Sequence, residues 1–188
     1  MDTMKYLVVA AAICVASAAY ATVLVPLDTK ALTARAERVV LGTVESQVSR
    51  WSSDHDAIYT DVTIVVERAY KGAVKPGERI VVRREGGVVD GMGMRVYGAA
   101  NFVVGEEVVV FTETRGNASW TVGMTQGKLH VALGSDGVKR VSAAIGDVAF
   151  LRGSGTATQA QVQSSAQPRR LDDFERELRS YVNAKAAP

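Results

Sequence analysis

The chain has one cysteine, two histidines and four prolines among its 188 residues, and only 6% of its side chains are aromatic. Cys14 lies inside an N-terminal apolar run, and a chain that loses this run has no sulfhydryl. Disulfides, cysteine zinc sites, thiol nucleophiles and thiol redox chemistry are then excluded. Two histidines leave few ligands for a transition metal, and no cofactor is expected. Charge of one sign is also missing. The 22 basic and 20 acidic residues balance to +2, without the clustered lysine and arginine that neutralise phosphates, so nucleic acid is not an expected partner. Two catalytic signatures are absent as well. There is no G-x-x-x-x-G-K-[ST] loop, and Gly153-Ser154-Gly155 is flanked by Arg152 and Thr156, which does not complete G-x-S-x-G.

What the N-terminus does contain is a leader pattern. Lys5 precedes a nearly unbroken apolar stretch over 6–16, and Ala19-Tyr20-Ala21 puts small residues at −3 and −1 of a cleavage point after Ala21. A retained membrane helix needs about 20 apolar residues, so no stable membrane anchor is expected after cleavage. Ala11-Ala12-Ile13 puts a bulky residue before Cys14 where a lipoprotein signal wants a small one. Residues 1–21 therefore read as a signal peptide, and the protein as periplasmic or secreted. Removing 21 of 188 residues leaves 167, enough to bury about 70% of the unfolded surface without disulfides.

Behind the leader, 27–38 has helical spacing with Asp28 or Thr29 as N-cap. The character then changes. Residues 39–48 are rich in β-branched side chains, and 58–68 alternates, with Ile58, Val62, Ile64 and Val66 on one face and Asp61, Thr63, Val65 and Glu67 on the other. Further strands are predicted at 80–84, 94–97, 108–113, 120–124 and 129–133, broken by glycine-bearing turns. Short strands without intervening helices predict a mainly β fold, a small antiparallel barrel (OB-like) or sandwich. Closing the sheet would remove exposed edges. Residues 142–152 fit no single type.

The domain reading is a β-barrel-like unit over 22–152 with its short N-terminal helix, a flexible linker over 153–168 and a C-terminal helix over 169–185. The linker consists almost wholly of Gly, Ser, Thr, Ala and Gln and has too little apolar surface to offset its ordering entropy. In the helix, Leu171, Phe174, Leu178, Tyr181 and Val182 form one stripe, Asp172 and Glu175 suit its N-terminus, and Arg176 and Arg179 sit four residues after them. An amphipathic stripe of this kind is expected to pack back on the barrel rather than on a partner.

The segment from Arg83 to Met94 is the candidate binding tip. Gly86, Gly87, Gly91 and Gly93 fall within eight residues, with Asp90, Met92 and Met94 beside them. Glycines at this density permit close backbone approach by a ligand or an anion nest, and methionines make adaptable apolar contacts; a mobile hairpin tip is the plainer reading. Asp54, Asp56 and Asp61 are oxygen donors that could hold Ca²⁺, but the EF-hand order is absent. His55 with Asp54 and Asp61 is the alternative hydrolytic set, although nothing marks a nucleophile. His130 alternates with Leu129 and Val131 on the less apolar face of its strand, as a solvated or hydrogen-bonded histidine.

The strings AERVVLGTVESQVSRW, IYTDVTIVVERAYKG, RREGGVVDGMGMRVYGAANFVVGEEVVVFTE and GMTQGKLHV, in that order over about 27–133, resemble an uncharacterised family of secreted bacterial β-domain proteins. That resemblance implies export and a small β domain, with no activity attached. The chain is also similar to the netrin-like or tissue-inhibitor-of-metalloproteinase OB barrel, where a strand of the VVLGTV kind precedes a long strand ending in a Lys-Gly turn. Those inhibitors use an N-terminal cysteine and several disulfides. A chain cleaved after Ala21 has neither, so their mechanism does not carry over. The expected function is a non-enzymatic exported binding module, inhibitor-like in type, with another exported protein as partner. A hydrolase built on the Asp54, His55 and Asp61 loop and a structural envelope component are the alternatives.

Overall fold

The computed structural model describes residues 23–143, 149–150 and 167–186. The expected leader lies outside the described residues, as does all of the expected linker except its last two positions. Five strands close a ring. They are β2 (Arg38–Trp51), β3 (Ile58–Lys71), β4 (Arg79–Glu85), β7 (Glu107–Arg115) and β8 (Ala118–Thr121), hydrogen-bonded in the order β7-β2-β3-β4-β8 with β8 returning to β7. This is the expected mainly β, OB-like barrel. It is not wholly antiparallel. A ring with an odd number of strands cannot alternate direction all the way round, and the exception is the parallel β4–β8 pair, joined at Arg83 and Trp120.

Smaller elements hang on this ring. Strand β1 (Val23–Leu24) pairs in parallel with β11 (Ala149–Phe150), which places one strand inside the untyped 142–152 stretch. Strands β5 (Gly87–Val89) and β6 (Met92–Met94) form a separate hairpin. Beyond β7 the sheet continues through β9 (Lys128–Leu133), β10 (Lys139–Ala143) and β12 (Arg169–Arg170). Strand β7 carries both branches on one edge, giving Glu107–Val110 to β9 and Thr112–Arg115 to β8.

Two expected strands are displaced. The one placed at 94–97 is β6, ending at Met94, because Asp90-Gly91 makes a two-residue turn that brings the return strand forward. The one placed at 120–124 is β8, ending at Thr121. Left-handed Gly123 and Met124 then start a 3₁₀ turn over Met124–Gly127.

The alternation read from β3 holds: Ile58, Val62, Ile64 and Val66 are buried and Asp61, Thr63, Val65 and Glu67 face outward. Inside the ring they meet Val40, Val44, Val82, Phe102, Val108 and Val110. The outer faces of β2 and β7 supply a second core, where Val39, Leu41, Val109 and Phe111 pack with α1 (Thr29–Arg35) and α2 (Leu171–Ala186). Helix α1 is shorter than the expected 27–38. Asp28 caps its first turn by accepting from the Ala31 amide at 2.7 Å, and Lys71 Nζ donates to the Thr33 and Ala36 carbonyls at its end. In α2, Leu171, Phe174 and Leu178 are buried against the sheet, each contributing about 1.5–3 kcal/mol. Glu175 faces inward instead of serving the helix N-terminus, and accepts from Tyr70 Oη at 2.6 Å and from Arg68. Arg176 pairs with Asp173 at 3.0 Å, and Arg179 reaches Glu175 at 3.9 Å. No helix among the described residues is long and apolar enough to cross a membrane.

Candidate functional site

The glycine-rich segment is an ordered hairpin. Asp90 and Gly91, with φ of 50° and 77°, are both left-handed. That is the two-residue turn whose twist matches the flanking strands, and Asp-Gly is among its preferred pairs. Turn chemistry thus explains Gly91. A Cβ there would meet nothing within 4 Å, so the backbone conformation alone calls for glycine.

The hairpin base is fixed by close packing. The Gly86 amide donates to the Ile58 carbonyl at 2.7 Å. Its own carbonyl accepts from Thr60 Oγ1 at 2.6 Å, and Thr60 Oγ1 lies 2.9 Å from Ser49 Oγ. A Cβ on Gly87 would stand 2.5 Å from both hydroxyl oxygens. The close approach at this glycine is therefore made by the protein's own side chains. Toward the tip the surface becomes apolar and open: Val88 is 67% and Met92 55% exposed, while Met94 is half-buried. Asp90 and Gly93 are exposed. The seven candidate residues thus divide into a packed base, Gly86, Gly87 and Met94, and a presented end, Asp90, Gly91, Met92 and Gly93.

The acidic candidates divide as well. Ser52 organises the β2–β3 loop, donating to Asp56 Oδ1 at 2.9 Å and accepting from the Asp56 and Ala57 amides. Asp54 sits in this exposed loop, where the nearby Ser52 hydroxyl and then its own loop amide hold its carboxyl below the ordinary value. His55 has a left-handed backbone, and its ring stacks on Trp51 at 6.1 Å. Asp61 belongs to β3 and is clasped by Arg83 through Nε at 2.7 Å and Nη2 at 3.1 Å, with Arg50 at 3.1 Å. These arginines, Arg83 first, lower its carboxyl from the usual range. Neither a hydrogen bond nor an ion pair joins Asp61 to His55 among the described residues, and no group of three acidic or histidine side chains there is disposed to hold a metal ion.

Sequence reasoning missed two arrangements. Lys128 and Glu106 form a buried ion pair at 2.8 Å, and half-exposed His130 adds Nδ1 at 3.2 Å from Glu106 Oε2. The Lys128 ammonium lies 5.4 Å from the Phe102 ring centroid. The alternation that placed His130 on the less apolar face of β9 also places Lys128 there, and that was the available signal. The second arrangement is an outward cluster in which Tyr59 meets Trp120 edge to face at 5.7 Å, with Arg83 6.0 Å from the Tyr59 ring. It depends on the β4–β8 closure, which local patterning does not encode.

The chain matches no protein-family model, no curated protein and no solved structure.

Proposed function

We propose that the protein is an exported, non-enzymatic binding module that engages another exported protein through the β5–β6 hairpin, as an inhibitor-like contact element. One observation carries this reading. Val88 and Met92 expose most of their surface on an element whose base is locked by Thr60, Ser49 and Gly86. A flexible apolar loop loses entropy when it binds, whereas an anchored hairpin has already lost it. Methionine beside valine adds an adaptable contact to a fixed one. The leader pattern supports export, because Lys5, the apolar run and Ala19-Tyr20-Ala21 stand in the order a signal peptide requires.

The test is pull-down from the periplasmic or culture fraction with wild type, the Val88→Ser/Met92→Ser variant and a control, Leu133→Ser, which alters an exposed apolar side chain on β9. Loss of a partner in the hairpin variant and its retention in the control is the expected result. Equal recovery by all three proteins refutes the hairpin contact.

A further inference from the structure

Strand β4 carries three arginines, and they are not treated alike. Arg79 is held in a fork by Glu45, at 2.7 Å from Nε and 2.6 Å from Nη2, and Arg83 is held in the same way by Asp61. Both lie on the outer face. Arg84 lies on the other face, in the alternation that puts Ile80 and Val82 inside the barrel. It pairs in register with Thr60, which pairs with Ser49, so one row at the barrel end holds a guanidinium and two hydroxyls beneath the hairpin base. No carboxylate among the described residues forms an ion pair with Arg84. Its Nη1 donates only to the Glu85 carbonyl, at 3.3 Å, and its Nε is buried with no acceptor. Burial also pushes the group down from its ordinary value.

A half-buried guanidinium that no carboxylate clasps, with Glu85 acting on it only as a neighbouring charge, keeps hydrogen-bonding capacity unused, and its planar fork is shaped for a carboxylate or phosphate. We infer that Arg84 is the anchor of an oxyanion-binding site at the barrel end, taking a carboxylate or phosphate group that arrives as a free ion or on an acidic partner side chain. Both sources share the same chemistry: oxygen acceptors for the Arg84 guanidinium. This assignment is independent of the hairpin contact, since it uses neither Val88 nor Met92.

The experiment uses the full-length protein labelled with ¹⁵N-arginine. The Arg84 Nε–H resonance is followed during titration with sodium acetate, inorganic phosphate, a blocked Gly-Glu-Gly peptide and its Gly-Gln-Gly counterpart, with sodium chloride at matched ionic strength as control. Saturable movement with acetate or phosphate but not chloride is the expected result. Stronger saturation by the glutamate peptide than by acetate assigns a partner side chain, and the reverse assigns a free ion. Thermal midpoints rise in parallel, because a ligand that binds only the native state stabilises it by mass action. Arg84→Met weakens the apparent affinity about tenfold or more, the worth of one charge-assisted hydrogen bond. Arg84→Lys keeps the charge but loses the fork, and serves if the methionine variant does not fold. A resonance that no anion moves saturably, or equal affinity in wild type and Arg84→Lys, overturns the assignment.

Discussion

Replacing Phe174 by alanine tests whether the terminal helix belongs to the core of the protein. Phe174 is fully buried, with Leu171 and Leu178 beside it, against residues of β2 and β7. Truncating a buried phenylalanine removes its transfer free energy and leaves a cavity, a loss of about 3–5 kcal/mol. Domains of this size have about 5–15 kcal/mol in total, so the variant loses a large share of its stability. Each kcal/mol moves the midpoint of a domain this large by about 2–4 °C, giving an expected fall of about 6–20 °C. Urea and thermal unfolding, followed by circular dichroism and tryptophan fluorescence, read this directly. Arg176→Ala is the control: its side chain is exposed and its i,i+3 pair with Asp173 contributes little. Both probes should report one shared transition in wild type. A loss below about 1 kcal/mol in Phe174→Ala, or a melt in which α2 unfolds separately and leaves the main transition in place, would refute the packing argument.

Two further outcomes follow from the same contacts. Burial, and then the hydrogen bond to Glu175, raise the Tyr70 phenol well above its ordinary value. Above about pH 10 the unfolded chain ionises there while the native protein does not. Stability present below that pH is lost as pH rises, by up to about 1.4 kcal/mol per unit; urea midpoints in wild type should fall more steeply than in Tyr70→Phe, and equal slopes would count against the buried phenol. At the hairpin, Gly87→Ala forces a Cβ onto Ser49 and Thr60 and also strains a backbone with φ of 150°, and should lower stability by about 2–6 kcal/mol. Gly91→Ala meets open space and should lose only the cost of a left-handed alanine, about 1 kcal/mol. Indistinguishable unfolding midpoints for the two variants would show that the base is not packed as described.

Local periodicity is legible where one face is buried. The alternation of β3 and the stripe of α2 located Ile58, Val62, Ile64, Val66, Leu171, Phe174 and Leu178 in the core. Legibility failed where backbone conformation at one or two residues redirects the chain, as at Asp90-Gly91 and Gly123-Met124. It failed again where partners are remote. Glu175 reads as a helix N-terminal acid by position, but Tyr70 and Arg68, more than 100 residues away in sequence, turn it inward. The candidate hairpin is legible from its glycines, although three of them, Gly86, Gly87 and Gly91, serve packing and turn geometry. Arg84 reads like its neighbours Arg79 and Arg83, and only the direction of its side chain sets it apart.

The sharing of β2 between two cores bears on the order in which the protein is made. Val40 and Val44 face the ring interior, while Val39 and Leu41 face the helices. The ring can close once β8 has been synthesised, but full cover for the outer faces of β2 and β7 must wait for Phe174, 53 residues after Thr121. At about 5–20 residues per second this is an interval of about 3–11 s. For that time a growing chain carries a patch containing Val39, Leu41, Val109 and Phe111 that α1 alone covers in part. Any factor that holds the nascent chain should bind this surface and leave when the last helix arrives.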